Sequence, residues 1–198
     1  MLLLTPLLQD HVFLRPFAEA LAKNCEVISL DLLGHGLSDM PKNAKLYAYE
    51  NLADHCHQLM GHLKINKHDI IGISWSGRIA VTYTLQHQAN VRALILIGSS
   101  GPKQRSHVPP ESHGLSADQR FLVDTVWKTH YDVTEELKKI HVPTLIIVGD
   151  QDPRLEVARF MHERIPKSTL NIIKGAEHEA DLTVCANEVM SWLKQLPI

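Results

Sequence analysis

Asp69-Ile70-Ile71-Gly72-Ile73-Ser74-Trp75-Ser76-Gly77 joins an apolar, β-branched run to a helical pattern extending from Trp75 to about Gln88. The first part has the composition of a strand buried on both faces. When a strand turns directly into a helix, the two backbones approach closely, so the residues two before and two after the turn must be small. Around Ser74 those residues are Gly72 and Ser76, and both are small. Around Ser76 the later position is Arg78, which is too large. Ser74 therefore occupies the turn, in a strained conformation that pushes its hydroxyl out above the sheet.

The same rhythm extends outward in both directions. Six short apolar runs, Leu2–Thr5, Glu26–Leu30, Asp69–Ile73, Arg92–Ile97, Thr144–Gly149 and Thr169–Ile173, read as strands. Amphipathic segments near 11–23, 47–64, 75–88, 153–165 and 182–195 read as helices between and after them. Near-continuous Val/Ile/Leu strands joined through helices predict an α/β class, a doubly wound parallel sheet covered on both faces. No internal repeat interrupts the 198 residues, which fit a single domain spanning 1–198.

One connection is too long for a plain crossover. Between Ile97 and Thr144 the chain carries Gly, Ser, Pro and His, followed by a helical stretch expected over about Ser116–Lys139. This is read as a short lid inserted at approximately 99–139. Phe121, Leu122, Val126, Trp127 and Tyr131 give the stretch an apolar face, and Phe121 and Trp127 are its candidates for substrate contact. A long helix simply packed on the sheet is the plainer alternative.

A serine hydroxyl is a weak nucleophile that needs a base, and the base needs an orienting carboxylate. On a strand–turn–helix serine the partners follow in the order acid, then histidine. Downstream, Thr144–Gly149 runs into Asp150-Gln151-Asp152-Pro153, and Asn171-Ile172-Ile173 runs into Lys174-Gly175-Ala176-Glu177-His178. Both segments lie just past the carboxyl ends of strands, where sites of open α/β sheets collect.

At these residues the chain resembles the α/β-hydrolase superfamily, over nearly its whole length. Asp31-Leu32-Leu33-Gly34-His35-Gly36-Leu37-Ser38-Asp39 is similar to that family's glycine-rich turn. Val142-Pro143-Thr144-Leu145 through Gly149-x-x-Asp152, and Gly175-Ala176-x-His178, are similar to its acid and histidine segments. The resemblance implies strand order 2-1-3-4-5-6, with Ser74 as nucleophile, Asp152 as acid and His178 as base. Asp150 then falls to turn-capping. It also implies an oxyanion hole built from the backbone N–H groups of Leu7 and Trp75, the latter aided by the helix dipole. The expected reaction is hydrolysis of a small-molecule carboxylic ester without metal or organic cofactor. Thioesters, lactones and C–C bonds β to a carbonyl are chemical neighbours of that reaction.

Two features depart from the family pattern. A β-hairpin normally precedes the strand formed here by Leu2–Thr5; its lack would expose a sheet edge away from the catalytic end. A later-than-natural start of the chain would also account for it. In addition, Thr5-Pro6 stands where His-Gly is usual. Proline has no N–H, and if Pro6 re-aims Leu7 one oxyanion donor is lost. That change motivates the rival reading of a non-catalytic binding or signalling relative.

Composition narrows the remaining classes. A net charge of −2 without a basic run gives no support for nucleic-acid binding. No apolar stretch approaches the length of a membrane span, and the apolar start lacks a positive n-region. A cytoplasmic protein, monomeric or homodimeric, is expected. Cys25, Cys56 and Cys185 lack zinc-site spacing, and the 13 histidines are dispersed, with His55/His57 and His107/His113 lacking i, i+4 ligand spacing. Gly34-His35-Gly36 has Asp39 where a dinucleotide loop needs its third glycine. Trp75 is expected either toward the pocket or in the core, and Met190 and Trp192 toward the core.

Overall fold

The computed structural model describes residues 1–104, 113–178 and 182–196. Six strands, β1 (Leu2–Leu4), β2 (Ile28–Leu30), β3 (His68–Ile73), β4 (Val91–Ile97), β5 (Thr144–Gly149) and β6 (Ser168–Ile173), form one sheet. The order is β2-β1-β3-β4-β5-β6, and every pairing is parallel. The helices are α1 (His11–Ala22), α2 (Tyr49–His62), α3 (Ser76–His87), α4 (Ala117–Lys128), α5 (Leu155–Arg164) and α6 (Leu182–Leu193). This is the doubly wound architecture and strand order expected from the sequence.

Strand side chains alternate between two cores, as the period of a pleated strand dictates. Leu2, Leu4, Ile70, Leu94, Leu96, Ile146 and Val148 point to the side covered by α2, α3 and α5. Leu3, Ile71, Ile73, Ile95, Ile97, Leu145 and Ile147 point to the side covered by α1 and α6. Burial on both faces explains why these strands read as continuous apolar runs. Met190 and Trp192 of α6 are partly buried against the second core.

Register brings the strand ends together on one rim. Leu4 pairs with Gly72, Ile73 with Ile97, and Gly149 with Ile173. The residues that follow, Thr5, Ser74, Gly98, Asp150 and Lys174, therefore leave the sheet side by side.

The β4–β5 connection differs from its sequence reading. Instead of a helix over Ser116–Lys139, α4 stops at Lys128, and a separate 3-10 turn covers Glu136–Lys139. A capping box of Ser116 and Gln119 starts α4. The helix ends because Thr129 turns extended and the chain dives to bury Tyr131. The Tyr131 hydroxyl donates to the Arg78 carbonyl at 3.1 Å, and its ring packs 4.4 Å from that of Tyr49. The following residues pair with the start of the connection: Val133 N–H donates to Pro102 C=O, Gln104 N–H to Tyr131 C=O, and Lys103 bridges to Asp132 at 2.9 Å. Residues 105–112, including His107, lie outside the described residues.

Candidate active site

Ser74 leaves β3 with φ +54, the left-handed region that costs a non-glycine residue about 1–3 kcal/mol. Three backbone hydrogen bonds hold it there. Its N–H donates to Ile97 C=O at 2.9 Å, and its C=O accepts from Ser100 N–H at 3.0 Å and Gly77 N–H at 3.2 Å. The small-residue rule has a direct structural basis. A Cβ on Gly72 would lie 2.7 Å from both the Gly77 Cα and the Ser76 carbonyl oxygen. Ser76 is fully buried, and its hydroxyl accepts from Ile73 N–H while lying within donor reach of the Leu4 and Ile73 carbonyls.

The carboxyl ends of β5 and β6 bring two further groups to this serine. His178 Nε2 lies 3.1 Å from Ser74 Oγ, and His178 Nδ1 lies 2.9 Å from Asp152 Oδ2. Asp152 Oδ1 accepts the Arg154 N–H at 2.8 Å, so both carboxylate oxygens are engaged. The Asp152 side chain is 1% exposed and that of His178 is 30% exposed. The imidazole therefore has one nitrogen fixed from within and one facing the serine. Asp150 caps the β6 turn, accepting Gly175 N–H at 2.7 Å, and does not join this chain of contacts.

A cavity of about 920 Å³ opens over Ser74. Leu7, Trp75, Trp127 and Phe160 line it, together with Arg78, Arg154 and Ser100–Pro102. The loop after β1 reaches it through a turn closed by Gln9 N–H on Pro6 C=O, with Leu8 at φ +63. Thr5 is buried and its hydroxyl accepts Leu32 N–H. Among the described residues no carbonyl engages the backbone N–H of Leu7 or Trp75. The Trp75 side chain turns into the core: it stacks on His35 with ring centroids 5.4 Å apart and donates from Nε1 to Tyr49 Oη at 3.1 Å. Burial pushes the His35 imidazole toward its neutral form, against a compensating contact with Leu33 C=O.

Phe121 lies elsewhere. It packs edge-on to Tyr47, beneath the Lys42 ammonium, and borders a separate surface depression with Ala44 and Lys128. One helical face cannot serve both places: Val126 and Trp127 turn toward the Ser74 cavity, and Phe121 looks away from it.

Three residues in or behind the site carry no sequence reading of their own. Gly98, at φ +51, lies directly behind the contact between acid and histidine; a Cβ there would be 3.1 Å from His178 Cε1 and 3.2 Å from Asp152 Oδ2. The Arg78 guanidinium donates to Gly101, Ser100 and Lys103 carbonyls, to Tyr49 Oη and to Gln104. Arg154 borders the cavity from the loop before α5. A glycine closing β4 was a readable signal for the first. Nothing local distinguishes the two arginines from surface residues.

Residues 2–126 match the α/β hydrolase fold family, and the chain belongs to it. It is 36% identical over 173 residues to a 2-hydroxymuconate semialdehyde hydrolase of Pseudomonas putida, covering 83% of this chain and 57% of that protein. It is 27% identical to a poly(3-hydroxyalkanoate) depolymerase of Ectopseudomonas oleovorans, covering 80% of this chain and 70% of that one. Among solved structures, an esterase from Exiguobacterium antarcticum superposes with a TM-score of 0.85 at 21% identity, over 98% of this chain and 91% of that one. A meta-cleavage product hydrolase from Pseudomonas fluorescens gives a TM-score of 0.83 at 19% identity, over 98% and 90% of the two chains. The chain thus spans little more than half the length of its Pseudomonas putida relative. No helix among the described residues is long and apolar enough to cross a membrane.

Proposed function

We propose that this protein is a serine hydrolase that cleaves a carboxylic ester through an acyl-enzyme on Ser74. The observation carrying the reading is the continuous hydrogen-bonded series Ser74 Oγ, His178 and Asp152, opening into a cavity. His178 Nε2 takes the Ser74 proton as Oγ attacks the substrate carbonyl. The developing oxyanion is held by the Leu7 and Trp75 amides, two cavity-lining residues whose N–H groups serve no carbonyl among the described residues. His178 then gives its proton to the leaving alcohol. Water, deprotonated by the same nitrogen, attacks the acyl-enzyme, releasing the acid and restoring Ser74. Asp152 holds the imidazole in the tautomer that leaves Nε2 free to accept. In this reading the 99–139 connection is a small lid, and Trp127 of α4 is its substrate contact.

The likeness to a 2-hydroxymuconate semialdehyde hydrolase favours a second reading, hydrolysis of a C–C bond β to a carbonyl by the same three residues. Burst kinetics with p-nitrophenyl acetate and butyrate test the primary reading. A burst followed by steady turnover, both lost in Ser74→Ala, is expected. A folded protein that forms no acyl-enzyme, or a burst that persists in Ser74→Ala, would overturn it.

A further inference from the structure

The charges around the Ser74 cavity do not balance. Its acidic residues are already engaged: Asp132 with Lys103 and the Thr134 N–H, Glu135 with Lys138, and Glu136 with Lys139. Asp152 is committed to His178 and to the Arg154 backbone. Two guanidinium groups remain. Arg78 spends its donors on three carbonyls, a phenol and an amide side chain, all of them neutral. Arg154 is different, because its guanidinium makes no hydrogen bond or ion pair among the described residues.

Arg154 is also only partly exposed and close enough to Arg78 for the two charges to repel. Burial pushes its pKa below the ordinary arginine value; the attraction of Asp152 opposes that shift by more than the repulsion of Arg78 adds to it. A guanidinium loses solvation at considerable cost unless an anion or several acceptors replace the water. Among the described residues no group replaces it, and the free planar fork borders the same cavity as Ser74. A carboxylate matches that fork in shape and charge. Its arrival would replace the solvation that the guanidinium has lost.

We propose that Arg154 seats a carboxylate carried by the substrate, so that the cavity selects acidic esters over neutral ones. This rests on the serine hydrolase reading for its kinetic consequence but not for the binding itself. Arg154 is a specificity residue, and Arg78 sets the field around it while bracing the β4–β5 connection.

The test compares esters that differ only in charge. On the acyl side, kcat/KM for monomethyl glutarate and monomethyl adipate is measured against the dimethyl esters. On the alcohol side, acetyl esters of ω-hydroxy acids are measured against their methyl esters. The wild type is expected to prefer the anion in at least one series by about 10- to 100-fold, the worth of a charge-assisted hydrogen-bonded pair. Arg154→Met should collapse the preference, chiefly through KM, and Arg154→Lys should restore part of it. Arg159→Met, at an exposed cation on the following helix α5, serves as the charge control. Labelling of Ser74 by a neutral organophosphonate reports that each variant is folded.

No anion preference in the wild type, or a preference equal in Arg154→Met, overturns the proposal. If no ester is turned over, the hydrolase reading fails separately. Glutarate and adipate binding is then followed through the fluorescence of Trp127, which lines the cavity. Binding lost in Arg154→Met but kept in Arg159→Met supports the carboxylate seat; absent or unchanged binding overturns it.

Discussion

The two ends of β3 place polar groups in opposite circumstances. At the carboxyl end the Ser74 N–H and C=O are bonded to neighbouring strands and loops, and its Oγ meets His178. At the amino end His68 is 5% exposed, and neither ring nitrogen has a hydrogen-bond partner among the described residues. Around it, the Tyr83 hydroxyl and His57 Nδ1 are likewise buried without partners, and the His57 ring stacks on that of His87 at 3.8 Å. Strain at one end is held by a network that over-determines it. Desolvation at the other end is simply endured. The difference teaches that a perturbed polar group marks a reaction centre only when its surroundings fix its geometry and give it access to a cavity.

Substitutions at the two ends should therefore fail in different ways. The largest effect is expected from Ser74→Ala, which should lower kcat by about 10⁶-fold and abolish organophosphonate labelling. Its thermal unfolding should change little, because no structural hydrogen bond depends on Oγ. Asp152→Asn comes next. With the carboxylate gone, His178 settles in the wrong tautomer, and kcat should fall by about 10⁴-fold with a smaller change in KM, read by steady-state kinetics. A comparable loss of stability instead would make Asp152 a structural residue.

Gly72→Ala sharpens the comparison from the packing side. Its Cβ would meet backbone at 2.7 Å, so the denaturant midpoint should drop by the equivalent of about 1–3 kcal/mol. The smallest effect is expected at the other end. Burial, followed by the charge of the amino terminus, lowers the His68 pKa from 6.5 to about 4. The folded ring therefore stays neutral where the unfolded chain takes up a proton. Stability is unaffected by this group above pH 6.5, declines as pH falls toward 4, and levels off below that. His68→Leu should flatten that decline and raise stability by about 1 kcal/mol, since removing an unpartnered buried polar group removes its desolvation cost. Urea titrations across the pH range read both effects. If His68→Leu leaves the slope unchanged, another group at this end carries the titration.

Much of this was legible because it is local. Burial on both faces of the sheet makes the strands continuous apolar runs, so they appear in the residue pattern within a residue or two. Ser74 was readable from Gly72 and Ser76, since close backbone approach leaves room for nothing larger. The choice of Asp152 over Asp150 came from resemblance, and the geometry separates them: one contacts His178, the other caps a turn. The long helix expected over 116–139 failed because amphipathic spacing continues past Lys128 while tertiary burial of Tyr131 interrupts it. Phe121 misled for a related reason, as helical periodicity gives an apolar face but not the object that face meets.

The sequence by itself determined the strands, the turn at Ser74 and the placing of Asp152 and His178 just past strand ends, because apolar runs and turn sterics are short-range, while the strand order came from the family resemblance. Only the tertiary structure decided that Arg78 would brace the connection, that Arg154 would border the cavity without a hydrogen-bonded partner for its guanidinium among the described residues, and that the His68 ring would be buried without a hydrogen-bond partner among them. Those outcomes depend on contacts between residues far apart in the chain, and on the charge left over when all such contacts have formed. Pairing of that kind has no period and no local signature, so it exists only once the fold has brought its members together.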